Sequence, residues 1–186
     1  ALSMRKQVFT MDKWDARFME MAWVISNWAS CYRAGRKIGC VIVKNKRIVT
    51  TGYNGAPAGI MTCVERGECL RRKLGIASGT RAEVCYAIHA EENAIIQAAK
   101  LGVSIDGATL YCTHQPCSVC ARMIINAGIK RVVSPLACYP ESGRASRVAW
   151  RGGNRPETLL QLPPPSPPIQ GVERGRERRE LLVFSY

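Results

Sequence analysis

Apolar residues near the start of the chain recur at helical spacing. Trp14, Phe18, Met21, Ala22, Ile25 and Ala29 trace one face, and Met19, Trp23, Val24 and Trp28 widen it. A face that wide predicts a helix buried on more than one side. Two strand-forming runs follow, Ile38 to Val43 and Arg47 to Thr51, with Lys44-Asn45-Lys46 as a hairpin turn. The stretch from Gly52 to Tyr86 is rich in loop residues. From His89 to Lys100 the run HAEENAIIQAAK predicts a helix, with Ala90, Ala94, Ile95 and Ala98 at helical spacing. Ala108 to Thr113 reads as a strand, Pro116 as the entry to a helix from Cys117 to about Ala127, and Ile129 to Val133 as a last strand. Strands separated by helices predict an α/β fold, a sheet parallel in part with helices on its faces.

Composition divides the chain. A sequence of 186 residues with 47% hydrophobic content can bury a core, which excludes a wholly disordered protein. Residues 1–136 carry the elements above. Residues 137–186 contain neither Lys nor Asp and are rich in Pro, Arg and Gly. Leu162-Pro163-Pro164-Pro165-Ser166-Pro167-Pro168 predicts an extended polyproline segment, and Arg174 to Arg179 a solvated run, so this divergent tail is expected to be largely disordered. No stretch approaches a membrane span, and no apolar run of a secretory signal stands at the start, so a cytoplasmic protein is expected. In that compartment nine cysteines point to metal ligation rather than to disulfides. The formal charge of +13 suits an anionic nucleotide. An interleaved basic and aromatic ribbon is absent, which argues against a polynucleotide substrate.

Two short motifs carry the chemistry, His89-Ala90-Glu91 and Pro116-Cys117-Ser118-Val119-Cys120. A catalytic zinc keeps three protein ligands and leaves a fourth position to water, whose pKa it lowers to about 7. His89, Cys117 and Cys120 would supply an imidazole and two thiolates. Glu91 is not needed as a ligand, and a carboxyl in a low-dielectric pocket suits a proton carrier. Cys117 and Cys120 fall at i and i+3 near the positive end of their helix, which favours thiolate. A Cys-x-x-Cys taken alone could equally be structural zinc, a redox pair or chance. His114, three residues before Cys117, is assigned to a loop beside the pocket rather than to the ligand set. Cys40, Cys112 and Cys138 read as core or incidental.

The His-x-Glu and Pro-Cys-x-x-Cys pair resembles the signature of zinc-dependent nucleobase deaminases. Together with Trp14-Asp15, Thr51-Gly52-Tyr53-Asn54-Gly55-Ala56-Pro57-Ala58-Gly59 and Gly107-Ala108-Thr109-Leu110-Tyr111, it is similar to the deoxycytidylate (dCMP) deaminase group over residues 14–133. The resemblance implies a cytidine deaminase-like three-layer α/β/α fold with a mixed central sheet. It also implies conversion of dCMP and water to dUMP and ammonia, within pyrimidine deoxynucleotide metabolism. The alternatives are a cytidine deaminase, a deaminase of adenosine in transfer RNA, and a non-catalytic nucleotide-binding or competence accessory protein. Gly52-Tyr53-Asn54-Gly55 could be a plain turn. The resemblance adds a sugar contact at Asn54, substrate contacts at Ala90 and Thr113, regulation by dCTP and dTTP, and a homo-oligomer.

Cys63, Cys69 and Cys85 lie in the long loop and Cys31 closes the first helix, so the four could meet at a second, structural zinc. A loop of over thirty residues needs an anchor, although unpaired loop cysteines remain the alternative. The resemblance places a structural zinc at positions like Cys31 and Cys63. Arg33, Arg36 and Lys37 are candidates for a 5′-phosphate, Arg36 foremost, against an ordinary solvated basic turn. Arg71, Arg72, Lys73 and Arg81 are further candidates.

Overall fold

The computed structural model describes residues 12–33, 36–77, 80–135 and 159–162. Helix α1 (Lys13–Ser26) begins where the Asp12 carboxylate accepts the Trp14 backbone N–H. Strands β1 (Gly39–Lys44) and β2 (Arg47–Tyr53) form an antiparallel hairpin. Its turn residues, Asn45 and Lys46, both have positive φ, at 51° and 58°. That geometry matches the right-handed twist of the flanking strands.

The loop-rich stretch holds three short helical turns, α2 (Cys63–Arg66), α3 (Leu70–Lys73) and a 3-10 turn at Ala82–Val84. Helix α4 (Ala90–Leu101), strand β3 (Thr109–Cys112), helix α5 (Ser118–Asn126) and strand β4 (Arg131–Pro135) then follow close to the expected bounds. Strand β5 (Leu159–Leu162) pairs parallel to β4. It falls within the segment expected as a tail, whose polyproline and arginine-rich parts lie outside the described residues.

The sheet order is β2-β1-β3-β4-β5. β1 is antiparallel to β2 and β3, whereas β3 and β4 run parallel, so the sheet is mixed. Alternation along the strands sorts side chains into two layers. Cys40, Ile42, Leu110, Cys112 and Val132 face Ala90, Ala94 and Ala98 of α4 and Ile124 of α5. Val41, Val43, Tyr111 and Val133 face Phe18, Met19, Ala22 and Ile25 of α1. Helices on both faces give the three-layer α/β/α architecture.

One expectation fails at α1. The helix ends at Ser26, and burial is confined to a stripe of Asp15, Phe18, Met19, Ala22, Ile25 and Ser26. Met21, Val24 and Trp28 are exposed. A helix lying on one sheet face needs a single stripe, and these residues fall outside it.

A buried polar cluster binds α1 to the sheet. The Arg131 guanidinium makes two 2.6 Å hydrogen bonds to the Asp15 carboxylate, which also accepts the Tyr111 hydroxyl at 2.8 Å. Burial alone would raise the Asp15 pKa. The bonds from Arg131 and Tyr111 and the guanidinium charge outweigh it and hold the carboxyl below its ordinary value. A depressed folded pKa means that this stabilisation is present above about pH 4 and is lost as pH falls through the folded value. Asp15→Asn should therefore melt well below the wild type at pH 7, and the gap should narrow in acid. A gap that stayed constant down to pH 2 would show that ionised Asp15 contributes nothing.

Candidate functional site

The N-termini of α4 and α5 converge on one point. His89 is the N-cap of α4, and its backbone N–H donates to the Glu92 carboxylate at 3.4 Å, which fixes the first turn. Cys117 is the N-cap of α5, and its sulfur accepts the Cys120 backbone N–H at 3.5 Å. The expected helix start at Cys117 is thus one residue early, with Pro116 just outside the helix.

His89 Nδ1 lies 3.3 Å from Cys120 Sγ and 3.5 Å from Cys117 Sγ. Tetrahedral bonds of about 2.05 Å to nitrogen and about 2.3 Å to sulfur would separate N and S by roughly 3.6 Å. The three residues therefore fit a zinc ion. Their ligand atoms all lie within 4.8 Å of one another, the one such set among the described residues. Hydrogen bonding from Cys120, with His89 adding to it, pulls the Cys117 thiol down to about 3. The bond to Cys117, burial and the charge of Glu91 push the Cys120 thiol up. Hydrogen bonding to Cys117 raises His89 to about 8. Two sulfurs this close compete for one ionisation, and a divalent cation between them removes the competition.

Glu91 follows in the first turn of α4 and is 4% exposed. Burial pushes its carboxyl up to about 7, against the pull of His89. Below it lie Cys40 and Cys112, cross-strand partners with no exposed surface. Burial raises both thiols, and the Glu91 charge raises them further. They are core residues, and they form an apolar floor under an acid.

The Tyr53-Asn54-Gly55 segment leads from β2 to this point. Asn54 is buried, with Oδ1 accepting the Ile38 N–H at 2.7 Å and Nδ2 donating to the Arg36 carbonyl at 2.7 Å. One amide hydrogen and one lone pair remain for a ligand. Asn54, Arg36, Ile38 and His89 line one cavity of about 70 Å³. Thr113 is buried, and its hydroxyl accepts the Gly39 N–H at 3.1 Å. Ala90 is fully buried at the first position of α4. Neither Thr113 nor Ala90 lines that cavity. His114 is half-buried, and burial together with the charge of Arg36 lowers its pKa.

Residues 12–135 match the family described as the cytidine and deoxycytidylate deaminase zinc-binding region. The chain belongs to this family. A deoxycytidylate deaminase of Schizosaccharomyces pombe is 39% identical over 139 residues, 75% of this chain but 42% of that protein. One from Mycobacterium phage D29 is 40% identical over 127 residues, 66% of this chain and 94% of the phage protein. The chain thus spans about two-fifths of the yeast relative and nearly all of the phage one. A crystal structure of dCMP deaminase from the cyanophage S-TIM5, in complex with dCMP and dUMP, superimposes with a TM-score of 0.58. It is 31% identical and covers 73% of this chain and 90% of its own.

In this deaminase domain the same cavity is also lined by Cys31, Cys63, Cys69 and Cys85, with Arg33 and Arg71. Burial raises the Cys63 and Cys31 thiols, and the charges of neighbouring cysteines in the group add to it. The fold brings all four to one cavity, although they do not close to the ligand spacing of the first site. Arg71 donates to the carbonyls of Ala77 and Thr80, so it braces the loop. Lys37 does not line the cavity, nor do Arg72, Lys73 and Arg81.

Sequence reasoning missed the short helix α2. Its signal was present, because Thr62 and Glu65 form a capping box, with bonds of 3.1 Å and 2.7 Å. It also missed Tyr111 and Arg131, whose partner Asp15 is about a hundred residues away in sequence.

Proposed function

We propose that this chain is a hydrolase of the C4–N bond of dCMP, converting dCMP and water to dUMP and ammonia. The observation that carries the reading is a buried carboxyl, Glu91, held near neutrality two residues from an imidazole-and-dithiol zinc site. When bound, zinc supplies the Lewis acidity that makes water nucleophilic near pH 7. Glu91 takes one proton from the attacking water and delivers it to ring N3 as the C4–O bond forms; it then takes the second proton from the new C4 hydroxyl and gives it to the amine, which leaves as ammonia when the C4–N bond breaks. Asn54 gives its remaining amide hydrogen to the sugar. Arg36, which lines the same cavity as Asn54 and His89, meets the 5′-phosphate. The names of the relatives and the dCMP and dUMP bound to the cyanophage enzyme support this substrate.

Cys31, Cys63, Cys69 and Cys85 hold a second, structural zinc that ties α2 and α3 to the segment after α1. Their lining of one cavity supports this. Metal analysis of the purified chain should then return about two zinc ions, and Cys63→Ser should lose one of them while keeping the other. A wild type holding a single zinc would refute the second site. Cysteines kept as thiols and metal ligands rather than disulfides support a reducing, cytoplasmic compartment. Homo-oligomers and control by dCTP and dTTP belong to the same reading. No helix among the described residues is long and apolar enough to cross a membrane.

The substrate is tested by ammonia release from dCMP, deoxycytidine and a transfer RNA stem-loop. The expected order places dCMP first by about tenfold or more, the value of one charged phosphate contact. Equal rates on deoxycytidine would remove Arg36 from phosphate recognition.

A further inference from the structure

The nucleotide-facing segment and the helix that carries Glu91 are fastened to each other at three levels. Gly55 and Ile88 exchange two backbone hydrogen bonds, of 3.3 Å and 2.9 Å, one residue before His89. Gly52 packs against the backbone of Ala90 and Ala94. The third fastening is a side chain: Asn93 Nδ2 donates to the Tyr53 carbonyl at 3.0 Å. Asn93 stands two residues beyond Glu91, and Tyr53 is the residue before Asn54.

On its other side Asn54 is bound only to the segment that precedes β1. Its backbone N–H donates to Ile38 O at 3.1 Å, its side chain bonds Ile38 and Arg36, and its carbonyl accepts the Ser30 N–H at 3.2 Å. None of these bonds refers Asn54 to α4. The Asn93 amide does so through a single peptide unit. Asparagine is also among the weaker helix formers, and at this half-buried position, the fourth of α4, its side chain caps nothing. Its presence is explained by the bond to Tyr53.

We propose that Asn93 is a positioning residue for nucleotide recognition, setting the distance between the sugar contact at Asn54 and the proton carrier Glu91. This rests on the roles given to those two residues under the proposed function. A shift of the Tyr53 carbonyl moves Asn54 relative to the reacting base, so the loss falls on nucleotide binding and orientation.

The test compares Asn93→Ala and Asn93→Gln with the wild type in the zinc-loaded full chain. Steady-state kinetics on dCMP are measured beside amide hydrogen exchange of Asn54 and Gly55. In Asn93→Ala the KM for dCMP should rise about tenfold, the value of one lost hydrogen bond, while kcat falls less. Zinc content should be unchanged and the melting temperature should hold, because alanine favours the helix. Exchange at Asn54 and Gly55 should quicken. Asn93→Gln keeps a donor and should recover most of the KM. An unchanged KM with unchanged exchange would overturn the proposal, as would loss of zinc and kcat at constant KM, the mark of a merely structural residue. Should the wild type fail to turn over dCMP, the substrate reading falls instead, and the exchange rates at Asn54 and Gly55 still decide whether Asn93 holds the loop.

Discussion

Glu91→Gln is expected to abolish deamination of dCMP while leaving the protein folded and zinc-loaded. Glutamine fills the same space beneath the metal site but neither accepts nor releases a proton at neutral pH. General acid–base catalysis contributes about 10²–10⁴-fold, and here one carboxyl serves successive transfers, so a loss on the order of 10⁴-fold is expected. Burial already pushes Glu91 up to about 7, so the fold does not depend on a charge there. The melting temperature should stay level or rise. Ammonia release and zinc content, measured on the same preparation, separate lost chemistry from lost metal. Activity within tenfold of the wild type would remove Glu91 from the proton pathway.

Gly52→Ala is expected to damage fold and activity together. A Cβ at this position would stand 2.5 Å from the backbone nitrogen of Ala94 and closer still to the carbonyl of Ala90. Those atoms belong to α4, the helix whose first turn holds Glu91 and whose N-cap is His89. To admit one methyl group the helix must lift off β2, at a cost of about 1–3 kcal/mol of stability, as overpacking in cores generally does. The lift also moves the proton carrier relative to α5, and a displacement of about 1 Å near reacting groups costs about 10²-fold in rate. Thermal melts together with kcat/KM for dCMP test both effects. A variant as stable and as active as the wild type would mean that α4 rides on the sheet with slack. The bland reading of Gly52-Tyr53-Asn54-Gly55 as a turn was thus incomplete. Its first glycine is a packing residue that lets α4 approach an edge strand.

The convergence of His89, Cys117 and Cys120 was legible in the sequence because local rules place each side chain. The helix-forming run after His89 and the Pro116-Cys117 entry put each motif at a helix start, and a helix start fixes where a side chain lies. The alternation along β1 and β3 likewise follows from period two. Other features depend on long-range contacts that no local pattern encodes. The Asp15, Tyr111 and Arg131 cluster joins three elements, and no spacing in the sequence announces it. The single buried stripe of α1 was misread as a broad one because Met21, Val24 and Trp28 are apolar yet exposed. Hydrophobicity alone does not tell which faces a fold will cover. Asn93 lies within a helix-forming run, and a weak helix former just inside the helix start was the available clue.

The central claim is that His89, Cys117, Cys120 and Glu91 form a hydrolytic centre for dCMP. Its most direct test follows dCMP, dUMP and ammonia together with the zinc-loaded full chain at neutral pH. The account predicts one dUMP and one ammonia for each dCMP consumed, with turnover lost when a chelator strips the metal and regained when zinc is restored. A zinc-replete, folded chain that leaves dCMP unchanged would contradict it.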